Sequence, residues 1–335
     1  MIAPGRKAQE LIDGLVQSTG EADPVSAVRK RAREVIDAYI MVFGEPEVMP
    51  LDLVILASFL GIKPSTDTPR FSPDAELAPD GEGGVEMRLN PDQPGTRQRF
   101  SMGHEITHTF FPDHSSHVWP RADARHRDLS DPSDYLEMLC DVGASELVFP
   151  LRFFVRDAAE AKNATDLVRL SQLYQASLEA TLRRYAELHP ESLAAVFFSW
   201  KLKPKQKGRI GNPAQANLFG LTPEAEVQAA RRLRVEYLIP SQRFLSDGIY
   251  LPKEKSVASQ GPLYEAARSR QPVDGEACLD LGAASGTYAV HVVPLWTPAA
   301  ETGPEGEGDV AAILRPLRIR AARKKVRSAE RGLFE

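Results

Sequence analysis

Apolar positions along this chain change rhythm several times, and each change predicts an element. Val25–Phe43 repeats apolar residues at helical spacing, and Leu51–Leu60 does so again. Gly84–Asn90, bounded by Gly83-Gly84 and Pro91, predicts a strand. Phe100, Met102, Ile106, Phe110 and Phe111 give a third helix one apolar side, and Pro112 should end it near Phe111. Leu136, Leu139, Cys140, Gly143, Ala144 and Leu147 define a strongly apolar fourth helix. Residues 156–190 read as further helices, and Leu193–Trp200 opens a mixed region. There, strand-like runs at Leu233–Ile239, Tyr288–Trp296 and Val310–Leu314 alternate with helical Pro223–Leu233 and Pro262–Arg270. Gly- and Pro-rich stretches at 201–213, 271–286 and 298–309 read as breaks. The whole predicts an α+β chain.

Length and charge bound the picture. A chain of 335 residues has room for two or three compact units with real cores. No run approaches the ~20 apolar residues of a membrane span, and the N-terminus lacks a secretory pattern. The two cysteines, Cys140 and Cys278, cannot build a disulfide framework, so a reducing cytoplasm is the expected setting. Cys140, on the apolar side of its helix, reads as a core thiol. The net charge of −5 is uneven. From Arg315 to Glu335 eight Lys/Arg face two Glu, a local +6 that leaves −11 for the preceding 314 residues. An acidic body disfavours a broad nucleic-acid grip, and the basic tail reads first as a solvated terminus.

The chemistry concentrates at His104-Glu105-Ile106-Thr107-His108. Residues four apart share one helix face, so both imidazoles can reach one zinc ion while Glu105 serves as general base. A catalytic zinc usually takes a third protein ligand. His114 has the spacing of a third histidine, but that arrangement needs a glycine where this chain has Phe111, which disfavours positive φ. Glu137 is the stronger candidate. It lies four residues before Asp141 on the fourth helix, so one carboxylate can bind metal while the other orients a ligating histidine. This spacing looks like the gluzincin arrangement. Glu146 falls on another face and reads as structural.

These residues, taken in order, resemble the ImmA/IrrE metallopeptidases. The likeness is carried by Arg88-Leu89-Asn90-Pro91, Arg97-Gln98-Arg99-Phe100, the His104–His108 motif, Leu136–Ala144 and Leu147-Val148-Phe149-Pro150, with Leu53–Ile62 upstream. It implies His104, His108 and Glu137 as ligands, Glu105 as base, Zn²⁺ (or Mn²⁺) as cofactor, and a helix-turn-helix transcriptional repressor as protein substrate in a stress or DNA-damage response. Asp141 stands where many members carry Asn, which bears on metal preference. His117, His126 and Tyr135, from the connection between the two helices, are candidates for stabilising an oxyanion.

The resulting expectation is a zincin-like peptidase domain over 1–155, with a helix-turn-helix-like segment over 156–192. An α+β, GAF-like sensor domain over 193–320 and a basic tail over 321–335 complete it. Ser177 is a candidate cap for a recognition helix carrying Arg183 and Arg184, against the plainer reading of a packing module. Gly84–Asn90 is a candidate strand for β-addition of substrate. The rival to a cytoplasmic endopeptidase is a transcriptional or ligand-sensing regulator whose peptidase site is vestigial and which acts by binding alone.

Overall fold

A computed structural model of the chain describes residues 4–46, 49–65, 74–82, 84–112, 119–120, 128–206, 222–280 and 284–319. The chain divides into two compact units, Met1–Ala161 with Val168–Arg184, and Lys162–Leu167 with Tyr185–Glu335. Both mix helices and strands, as the alternating rhythm predicts.

The first unit begins with α1 (Pro4–Thr19), α2 (Pro24–Phe43) and α3 (Leu53–Phe59). Its short strands are β1 (Ile62–Ser65), β2 (Ala75–Pro79), β3 (Val85–Leu89) and β4 (Trp119–Pro120). The long helices α4 (Gly95–His108) and α5 (Pro132–Val148) follow, then α6 (Leu151–Glu160). Helix starts follow local chemistry. Asp23, Asp52 and Asp131 each accept backbone N–H groups from the first turn of α2, α3 and α5, and Pro24 and Pro132 stand in the first turn where no N–H is needed. Helix α1 buries Ala8, Leu11, Ile12 and Leu15, one face at the expected spacing, and packs with α2 on α5.

The four strands form a mixed sheet ordered β1-β3-β2-β4, with β1 and β3 parallel and the other pairs antiparallel. This corrects one expectation. The strand read over Gly84–Asn90 is β3, and both its edges are already hydrogen-bonded, to β1 and to β2. A ladder filled on both sides has no edge for β-addition.

The chain continues through α7 (Ala164–Leu173) and α8 (Leu178–Leu188). Ser177 does cap α8, its Oγ accepting the N–H of Ala180. Arg184, however, is buried rather than displayed, and its Nη2 donates to Glu146 Oε2 on α5 at 2.7 Å. Arg29 of α2 approaches the other oxygen of Glu146 at 3.3 Å. Glu146 is thus structural, and Arg184 is not available to a phosphate.

The second unit is built on a five-stranded antiparallel sheet. Its strands are β5 (Ala194–Lys201), β6 (Arg232–Pro240), β7 (Val273–Leu279), β8 (Gly286–Pro294) and β9 (Val310–Ile319), in the order β6-β5-β9-β8-β7. Helices α9 (Pro223–Ala230), α10 (Gln242–Ser246) and α11 (Pro262–Ser269) lie between them in sequence. Val196, Phe198, Leu233, Tyr288, Val290 and Leu314 anchor an apolar core, with α11 laid against β7, β8 and β9.

Two sequence expectations shift here. The helix read to Leu233 ends at Ala230, and β6 begins at Arg232. The stretch 271–286, read as a break, contains β7. This edge strand exposes Asp274, Gly275 and Glu276, so no apolar alternation announces it. Gly275 is needed for packing: a Cβ there would stand 2.9 Å from the Pro262 ring of α11.

Candidate metal centre

The centre is made where α4 and α5 pack at close range. Small residues set the approach. A Cβ added to Gly143 of α5 would meet the Thr107 side chain at 2.3 Å, and one on Gly103 of α4 would stand 3.2 Å from the Ala144 backbone. Neither helix can carry a larger residue at these crossings without moving apart. Thr107 satisfies its hydroxyl within α4 by donating to the Gly103 carbonyl at 2.8 Å. Helix α4 ends at His108, three residues before the predicted stop, and Thr109 caps it. Phe111 keeps clear of the left-handed region, as its side chain requires.

The close approach buries a polar group of unusual density. His104, Glu105 and His108 of α4 are all buried, as is Glu137 of α5. The two imidazoles stand edge to face, their centroids 5.1 Å apart. Each turns Nε2 toward the Glu137 carboxylate, His104 at 3.1 Å from Oε2 and His108 at 3.5 Å from Oε1. The Nδ1 edges meet other partners. His104 Nδ1 lies 2.8 Å from Asp141 Oδ1, and His108 Nδ1 lies 3.5 Å from Cys140 Sγ.

Electrostatics follow from the donors. Burial opposes a charge on His104, yet hydrogen bonds to Asp141 and Glu137 outweigh it and lift the imidazole pKa to about 9. The surroundings therefore favour positive charge between these groups. Two imidazole Nε2 atoms converging on a carboxylate, inside an electronegative and water-poor pocket, fit a divalent cation. The donor atoms of His104, His108 and Cys140 also lie within 4.8 Å of one another, a second trio able to hold an ion.

The sequence reading thus placed His104, Glu105, His108, Glu137 and Asp141 in one neighbourhood, and the structure brings them together. Tyr135 precedes Glu137 by two residues, so it leaves α5 on another side, half-buried. His114, His117 and His126 lie outside the described residues. Cys140 is the residue the sequence reading left in the core. Its only signal was spacing, three residues past Glu137 and one before Asp141.

No helix among the described residues is long and apolar enough to cross a membrane. No curated protein sequence matches the chain. A Mycobacterium tuberculosis transcriptional regulator of known structure is similar over 92% of this chain and 94% of its own, at 12% identity and a TM-score of 0.44. Residues 66–185, the span that holds all five residues of the centre, match the family model described as Peptidase_M78, the IrrE N-terminal-like domain.

Proposed function

We propose that the chain is a zinc-dependent endopeptidase of the cytoplasm that cleaves a regulatory protein, with a helix-turn-helix transcriptional repressor as the expected substrate. The observation that carries this reading is the convergence of His104 Nε2 and His108 Nε2 on the two oxygens of Glu137. His104, His108 and Glu137 would hold the ion. Asp141 would orient His104 through Nδ1. When bound, the metal supplies Lewis acidity toward a carbonyl and makes water more acidic. Glu105, adjacent to His104 and wholly enclosed, accepts the proton of the attacking water on its carboxylate and returns it to the leaving amine. Exclusion of bulk water strengthens each of these interactions.

In this reading α4 and α5 form a gluzincin-type pair within a zincin-like domain. The helices α7 and α8 act as a packing module that resembles a helix-turn-helix. The second unit acts as the sensor. Its five-stranded antiparallel sheet, with strands running second-first-fifth-fourth-third counted within the unit, is the GAF-like element of this reading.

The test uses the purified chain with a candidate repressor, with Zn²⁺, with Mn²⁺ and with chelator. The expected outcome is metal-dependent fragments of the repressor by mass spectrometry. In parallel, elemental analysis of Glu137→Ala should show strongly reduced metal. Full occupancy in that variant would remove Glu137 from the ligand set and leave the trio with Cys140.

A further inference from the structure

The two imidazoles of the centre are held differently, and the difference is set by one turn of α5. Each ring presents Nε2 to Glu137, so each needs its proton on Nδ1 if Nε2 is to be a ligand. For His104 the Nδ1 partner is Asp141, at 2.8 Å. For His108 the group in that place is the Cys140 thiol, at 3.5 Å, a normal separation for a hydrogen bond to sulfur. Glu137, Cys140 and Asp141 stand at positions i, i+3 and i+4, which puts all three on one face of α5.

We propose that Cys140 is the positioning residue of His108, holding Nδ1–H so that Nε2 is presented to the metal. This rests on the metallopeptidase reading above. Cys140 is fully buried, and His108 is almost so. A buried Nδ1–H that lost its acceptor would bear the desolvation penalty alone, and the alternative tautomer would put a proton on the ligating nitrogen. Sulfur is a weak acceptor, so this ring is held more loosely than the one on Asp141. Sγ stands on the Nδ1 side of His108 and Glu137 on the Nε2 side. An ion held at Nε2 by Glu137 therefore leaves the thiol to its hydrogen bond rather than recruiting it as a ligand.

The experiment is a Co²⁺ titration of the full chain against a competing chelator, with the absorption spectrum recorded. Loss of an orienting partner typically costs 10–100-fold in metal affinity, and for a weak sulfur partner Cys140→Ala should lose about 10-fold. Cys140→Ser, which keeps an acceptor in place, should recover most of that loss. The cobalt-loaded native chain should show no thiolate-to-cobalt charge-transfer absorption. Equal affinity of Cys140→Ala and the native chain overturns the proposal, and so does a thiolate charge-transfer band. If Cys140→Ala does not fold by circular dichroism, Cys140→Ser against Cys140→Val, closer in size, makes the same comparison. Serine binding tighter supports the proposal, and equal binding overturns it. A native chain that takes up no cobalt at all defeats the metallopeptidase reading itself. That outcome is distinct from tight binding that ignores residue 140.

Discussion

Buried polar groups are used in opposite ways by the α4–α5 pair and by the five-stranded sheet. In the helix pair, two imidazoles and the Glu137 carboxylate are enclosed and aimed at one another, with Glu105 buried beside them. In the sheet and the loop leading into β9, enclosed and half-buried charged residues hold backbone. Arg234 donates to the carbonyls of Lys201 and Glu254, Asp309 accepts the Trp200 N–H, and Glu307 accepts the Glu305 N–H. Enclosing charge is costly, and a fold keeps it where it secures backbone or where chemistry requires it. The sheet meets the first condition. The helix pair has few backbone groups to secure, because helices satisfy their own, so its dense polar cluster points to chemistry.

The most severe way to probe this contrast is Glu105→Gln. The amide keeps the shape of the buried side chain but cannot accept the proton. Repressor cleavage should fall by about 10²–10⁴-fold, the usual worth of a general base, while bound zinc stays near one ion per chain. Cleavage and elemental analysis on the same preparation check both halves. An unchanged cellular response in Glu105→Gln would favour the rival regulator that acts by binding alone.

Next in size is a buried ion pair of the first unit that the chemistry does not use. Glu146→Ala leaves the Arg184 guanidinium enclosed beside Arg29 with its carboxylate gone. Breaking such a pair costs about 3–5 kcal/mol, read as a lower denaturation midpoint. Replacing both partners with apolar residues of similar volume should recover much of the loss. If Glu146→Ala is neutral, the polar interior of this unit is softer than its geometry says, and the contrast with the sheet weakens.

How legible this was in the sequence differs between the two regions for physical reasons. Helices α4 and α5 declare themselves because a buried helix face repeats every three or four residues, and metal ligands four apart ride on the same repeat. Residue 184 stayed open between a recognition helix and a packing module for a related reason: an arginine in a helix says nothing of whether a carboxylate awaits it on another helix. Cys140 looked like a core thiol, and it is one. Its contact with His108 depends on how α4 rotates against α5, which the Gly143–Thr107 and Gly103–Ala144 crossings set. Among strands, β6, β8 and β9 were visible as apolar runs bounded by Gly- and Pro-rich breaks, whereas β5, buried along almost its whole length, was legible only as the start of a mixed region. The short strands β1, β2 and β7 were not, since their pairing comes from neighbours rather than from their own pattern.

A third probe tests the sheet as a conventional core. Leu314 of β9 is fully buried among Val196, Tyr288 and Val290. Leu314→Ala should destabilise by about 2–5 kcal/mol, the spread reflecting how far the cavity collapses. The denaturation midpoint should fall while metal content is kept. Loss of the metal as well would mean that the polar centre depends on the sheet.

The smallest expected effect lies in the pH dependence of Asp309. Burial raises its carboxyl from the ordinary value of 3.8 to about 6, against the Trp200 N–H that favours the charged form. A carboxyl that binds its proton more tightly when folded makes the native state most stable below the unfolded pKa. Stability is then lost as pH rises from about 4 through about 6, and the loss is complete above that window. Asp309→Asn keeps an oxygen for the Trp200 N–H and carries no charge, so its contribution cannot change with pH. Other carboxyls titrate in the same range, so the informative quantity is the difference between native and variant chains. Urea midpoints at pH 4 and pH 7, followed by tryptophan fluorescence, should show the native chain losing ground relative to Asp309→Asn at the higher pH. If that difference is the same at both values, the Asp309 carboxyl is not raised. Its hydrogen bond to the Trp200 backbone would then have offset the burial in full.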